Sequence, residues 1–206
     1  MKKYEVALID IPMFSNAKVY PLIEAYATAP QARGRLLAIW YSDIGELNQV
    51  MVLREFETSS DLDAERERMM LGGKPFGLDN ELMLGLNLST YAAFPFLPPV
   101  ETGARGPVYE VRTYGIKPEG VAATIEAWKG AYAARHAVSP LLIAMYALDG
   151  QGPRFMNIWP YASTDARAKA RADSVAQGVW PPKGGPAHLT TLHSAIFLPA
   201  PNSPLR

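Results

Sequence analysis

Apolar and polar positions alternate from Val108 to Ile116 in a stretch rich in β-forming residues, which predicts a strand. The period then lengthens. Val121, Ile125, Trp128 and Tyr132 recur at three- and four-residue spacing between Pro118 and His136, with Glu119 expected in the first turn and Pro140 as the stop, so this stretch predicts a helix. Leu141–Leu148 and Arg154–Tyr161 read as two strands joined across Asp149-Gly150, a strong hairpin signal. Ser163–Gln177 reads as a helix capped by Ser163 or Thr164, and Leu189–Leu198 as a last strand. The first hundred residues give the same series: strand Tyr4–Ile11, helix Ala17–Ala29, strands Leu36–Ser42 and Asn48–Phe56, helix Asp61–Leu71 and strand Leu86–Ala93.

The series repeats because the residues do. Tyr4-Glu5-Val6 returns as Tyr109-Glu110-Val111, and the same offset of 105 pairs Leu36-Leu37 with Leu141-Leu142, Tyr41 with Tyr146, Gly45 with Gly150, Met51 with Met156 and Arg66 with Arg171. A common offset in a common order marks a duplication. The joint falls at Pro98–Pro107, dense in turn formers, which divides the chain into repeats 1–98 and 108–199. The tail Pro199–Arg206 holds three prolines and is expected to run over the surface. Each repeat, strand-helix-strand-strand-helix-strand, is a ferredoxin-like unit whose helices cover one sheet face. Two such units can bury their bare faces together, so the expected fold is α+β: two tandem ferredoxin-like repeats forming one intrachain barrel.

Composition narrows the function classes. The chain has 206 residues, 20 Lys+Arg against 20 Asp+Glu, and no cysteine. Zero formal charge argues against a nucleic-acid partner. Without cysteine there is no thiolate nucleophile and no Cys-ligated metal. No apolar run approaches the roughly 20 residues of a membrane helix, and Glu5 and Asp10 interrupt any leader, so no membrane partner and a cytoplasmic location are expected.

Two segments resemble a known family. Val108-Tyr109-Glu110-Val111-Arg112-Thr113-Tyr114-Gly115-Ile116-Lys117-Pro118 is similar to the opening strand of the NIPSNAP family, and Trp40-Tyr41-Ser42-Asp43-Ile44-Gly45-Glu46-Leu47-Asn48-Gln49-Val50 resembles that family's hairpin. Lying in different halves, they make the chain look like tandem NIPSNAP domains. The resemblance implies a dimeric α+β barrel fold and no agreed reaction; a homodimer is left open. Where the family pattern continues with His and Trp two residues apart, this chain has Val52 and Arg54 in one half and Asn157 and Trp159 in the other, and its first strand reads Ala7-Leu8-Ile9 instead of Arg-Thr-Tyr. Family chemistry that used the His is therefore not carried over.

Alternation suggests which side chains face the barrel. Met51 and Leu53 match Met156 and Ile158, and this shared apolar set is assigned to the helix-packed face. The other face, expected to line the lumen, then carries Arg54, Phe155, Asn157 and Trp159, joined by Glu110, Arg112 and Tyr114 from the strand opening the second half. An aromatic wall with a few polar groups suits a small-molecule ligand, aromatic or oxo-acid. Arg112 would anchor an anionic oxygen, and Tyr114 or His193 would move a proton; Glu110 and Arg112 would equally form a structural ion pair. His136 is expected as a cation at a helix C-terminus and His188 in a loop. No His spacing suits a metal, and neither metal nor cofactor is expected, although a haem would need only one His. Arg66, Arg68, Arg167, Lys169 and Arg171 are read as a solvated helix face, and Trp180-Pro181-Pro182 as a lid or an apolar plug. Two functions follow: a small-molecule binder acting as a cofactor-independent enzyme, or a non-catalytic binding or scaffold protein.

Overall fold

The structure is a computed structural model describing residues 2–206. Its elements run β1 (Lys3–Asp10), α1 (Asn16–Ala27), β2 (Arg35–Ile44), β3 (Gln49–Phe56), α2 (Ser59–Leu71), β4 (Gly85–Ala93), β5 (Val108–Ile116), α3 (Val121–Val138), β6 (Ile143–Ala147), β7 (Arg154–Tyr161), α4 (Thr164–Ala176) and β8 (Leu189–Pro199). The strands close into one antiparallel barrel in the order β1-β3-β2-β8-β5-β7-β6-β4. Within each half the two inner strands are β1 with β3 and β5 with β7; the seams between halves are β2 on β8, from Trp40↔Pro199 to Ile44↔Ile196, and β4 on β6, from Tyr91↔Ala147 to Ala93↔Met145.

The register decides the faces. Directly paired residues share a face, and Val6↔Leu53, Leu8↔Met51, Tyr109↔Phe197 and Val111↔Ile158 all belong to one buried cluster that also holds Trp40, Tyr91, Met145 and Met156. That cluster is the lumen. Trp40 and Tyr109 stack across it at 4.1 Å between ring centroids and tie the halves together. An eight-stranded barrel is just wide enough for its own side chains or one small ligand, and here apolar residues of both halves fill most of it, with Glu55 as a buried charge on the same face, accepting from the Tyr4 hydroxyl at 3.0 Å.

Alternation alone therefore assigns the sheet inside out. Arg54, Glu110, Arg112, Tyr114, Phe155, Asn157 and Trp159 lie on the helix-covered face, and Met51, Leu53, Met156 and Ile158 fill the barrel. The reason lies in the helices. α1 and α3 present apolar faces, burying Val19, Tyr20 and Ile23 in one and Trp128 in the other. α2 and α4 are polar and are held down by ion pairs to the sheet: Arg66 to Glu5 at 2.9 Å, Glu65 to Arg54 at 2.6 Å and Arg167 to Glu110 at 2.5 Å, with Arg68 pairing the same buried Glu65 within α2. Only Lys169, paired with Asp173 on its own helix, fits the expected solvated face.

Other boundaries differ for local reasons. The third helix starts at Val121 because Lys117–Gly120 closes a turn first, Gly120 N–H donating to the Lys117 carbonyl at 2.8 Å, which leaves Glu119 outside. The tail does not simply run over the surface. Leu205 is fully buried in the lumen cluster, its N–H donates to the Leu37 carbonyl at 3.0 Å, and its carbonyl accepts from Trp40 Nε1 at 3.0 Å, so the tail plugs one end of the barrel. Val100 of the connecting segment packs beside it. No helix among the described residues is long and apolar enough to cross a membrane.

Candidate functional site

With one end plugged, access to the lumen lies at the other, where β1 and β2 end and β3 begins. A cavity of about 310 Å³ opens there. Leu8, Met51, Val111, Met156 and Phe197 form its apolar floor and walls, and Gln49, Thr113 and His193 stand at its polar rim. A second cleft of about 350 Å³ adjoins it and shares Thr113 and His193. The pairing Thr113↔His193 sets both side chains on the lumen face of β5 and β8. His193 is exposed, because β8 runs on past the end of β2. Of the sequence-predicted site residues, His193 is the one that reaches this cavity.

The other seven gather under the helices in two networks. In the first half Arg54 donates from Nη2 to Glu5 at 2.5 Å and from Nη1 to Glu65 at 2.6 Å, with its guanidinium over the Phe76 ring at 4.8 Å. In the second half Arg112 donates to Glu110 at 2.6 Å and to the Tyr114 hydroxyl. Tyr114 meets Phe155 edge-on, and Phe155 and Trp159 pack against Trp128 of α3. Asn157 is buried and accepts from Trp159 Nε1 at 2.7 Å. Trp180 sits edge-on to Trp128 at 4.8 Å, so the Trp-Pro-Pro segment plugs this aromatic layer and does not cover the lumen. Burial pushes the Glu110 carboxyl up, but the Arg167 hydrogen bond and the charges of Arg112, Arg167 and Arg171 more than offset it and hold the group below the usual carboxylate range. Burial also lowers His136, whose Nδ1 accepts from the Leu141 N–H at 3.2 Å; this side chain is a neutral acceptor, not the expected cation. His188 ends a short 3₁₀ turn, Gly185–His188.

A larger cleft, about 620 Å³, is lined by Lys2, Arg33, Arg35, Glu55, Glu57 and Asp61, but these charges already pair with one another, which leaves little for a ligand to satisfy. Among the described residues no cluster of three or more His, Asp or Glu could hold a metal.

Solved structures share the architecture over its whole length. An anthrone oxidase-like protein superposes with a TM-score of 0.66 at 11% identity, covering 97% of this chain and 91% of its own. A candidate monooxygenase from Lactobacillus acidophilus NCFM gives 0.66 at 10% identity, with 96% and 93% covered. At such identity the likeness is one of fold. A NIPSNAP family protein from Agrobacterium tumefaciens C58 aligns over 48% of this chain and 98% of its own, at 23% identity and a TM-score of 0.45. No curated protein matches in sequence. The NIPSNAP profile matches residues 4–73 and 109–204, one span in each half, and the chain belongs to the NIPSNAP family.

Proposed function

We propose that this NIPSNAP chain binds a small aromatic or oxo-acid molecule in the mouth of its barrel, with His193 as the polar anchor. The supporting observation is the cavity itself: an apolar well whose rim carries an imidazole, a hydroxyl and an amide. Met51 and Met156 supply polarizable thioethers that suit an aromatic ring. In the catalytic form of this reading, the imidazole takes a proton from the carbon beside a carbonyl, and Thr113 or Gln49 donates to the resulting enolate oxygen. The names of the structural neighbours, oxidase-like and monooxygenase, make an aromatic ketone a sensible probe.

Titration calorimetry with anthrone and phenylpyruvate tests the reading. Met156→Trp, which fills the well, should abolish binding, and His193→Ala should weaken it about tenfold, the worth of one hydrogen bond to a charged or strongly polar group. Unchanged affinity in both variants, or no binding to the native chain, would remove the site.

One observation favours the non-catalytic alternative. Phe14, 93% exposed, and the exposed Leu47 and Leu84 stand on loops, with the exposed Ile44 ending β2, at the same end of the barrel, linked by hydrogen bonds from Ile11 to Asn48 and from Leu84 to Asp10. An apolar rim of this kind suits a protein partner.

A further inference from the structure

We infer that the groove between α3 and α4, on the outer side of the second half, is a second small-molecule site that takes a carboxylate carried on an apolar body.

The two halves differ in how their buried charges balance. Beneath the first half, the buried Arg54 has two carboxylate partners, Glu5 and Glu65, and the same two also hold Arg66 and Arg68. Beneath the second half, Glu110 alone serves Arg112 at 2.6 Å, Arg167 at 2.5 Å and Arg171 at 3.8 Å. The 105-residue offset that carries Glu5 to Glu110 and Arg66 to Arg171 carries Glu65 to Ala170. The second half thus carries its own set of arginines in this layer with no counterpart of Glu65.

Arg135 is left worst placed. Only 3% of it is exposed, yet no carboxylate pairs with it among the described residues. Its hydrogen bond runs from Nη1 to the Ser139 carbonyl at 3.2 Å, and its Nε has no partner. The guanidinium lies over Trp159 at 4.1 Å and beside Trp180 at 5.7 Å. Ring faces and the carbonyl end of α3 offset part of the cost of burying a cation, but they carry no full negative charge. An arginine keeps its proton, so this is a standing buried charge that an anion would neutralise.

Space for that anion is present. An open cavity of about 510 Å³ is lined by Arg135, Arg171, Ala172, Val175, Ala176 and Trp180. Arg135 and Arg171 thus line it together with an apolar wall in which Val175 is exposed. A planar fork matches a carboxylate with two parallel hydrogen bonds, and Trp180 with Val175 offers a surface for a flat apolar body. This site is independent of the barrel mouth, since the two lie on opposite faces of the sheet.

The probe is 2-naphthoate, read by quenching of tryptophan fluorescence, with neutral 2-naphthamide as its isostere. Three of the four tryptophans, Trp128, Trp159 and Trp180, form the layer beneath the groove. Naphthoate should quench saturably, and naphthamide should bind at least about tenfold more weakly. Arg171→Gln should weaken naphthoate by about tenfold and Arg135→Met should abolish its binding. Arg135→Met should keep its melting temperature, because an apolar isostere replaces a cation with no acid partner. If that variant fails to fold, Arg171→Gln, at a half-exposed position, decides between a site and a bare surface. Equal binding of the two probes, undiminished affinity in Arg171→Gln, or no saturable quenching at all would overturn the inference.

Discussion

Glu110 accepts three hydrogen bonds on one oxygen, from Arg112 at 2.6 Å, Arg167 at 2.5 Å and Ser194 at 3.0 Å. Such a buried network gains little net stability over an apolar core, but losing one member leaves charges stranded, at a cost of about 3–5 kcal/mol. Its pH dependence has a definite sign. The folded carboxyl titrates below its unfolded value of about 4.3, so its contribution is fully present above that pH and is lost as pH falls through the folded value. Glu110→Gln should therefore cost about 3 kcal/mol in urea unfolding near neutral pH, with the gap from the native chain narrowing as pH falls below the usual carboxylate range. A gap that stays constant with pH would mean the carboxylate is not what holds the arginines. At this scale the sequence was only half legible. That Glu110 and Arg112 pair was among the readings open from their spacing; that α4 supplies Arg167 was not, because a partner 57 residues away leaves no local pattern.

At the scale of elements the periodicities carried almost everything. Both polar helices begin at capped positions 105 residues apart: Thr58 accepts from the Asp61 N–H at 3.1 Å and Ser163 from the Ala166 N–H at 3.0 Å. α4 buries only Ser174, so little apolar packing masks the cap's contribution. Ser163→Ala should cost about 1 kcal/mol in chemical denaturation, and loss of a mere tenth or two would mean that the Arg167 pair alone holds the helix end. The strands Val108–Ile116 and Arg154–Tyr161 were legible to the residue because turn formers bound them sharply. Face assignment failed at the same scale. Alternation separates two faces but does not say which is inside, and here both faces of the sheet are buried.

For the whole molecule, closure of the barrel makes the halves interdependent. Each half alone would expose its apolar lumen face and two strand edges. Leu205, the last residue but one, seals the lumen beneath Trp40. Leu205→Ala should destabilise the chain by about 2–5 kcal/mol, the usual range for emptying a buried leucine site. Unfolding should remain one transition, with tryptophan fluorescence and far-ultraviolet circular dichroism coincident. Two separated transitions would show that the halves fold on their own. Reading the tail as running over the surface misses this role because prolines report turns and a missing N–H, not where a segment is docked.

The order of strands and helices, their doubling, the ferredoxin-like units and the family were all available from the chain, because each depends on short-range periodicity, turn chemistry or local motif. The tertiary structure alone decided which sheet face became the lumen, which arginine found a carboxylate and which did not, and where the tail ended. Those outcomes depend on partners distant in sequence: apolar side chains from both halves fill most of the barrel, Arg54, Glu5, Glu65 and Glu110 are buried together on the helix side, and only the folded arrangement determines how such charges pair.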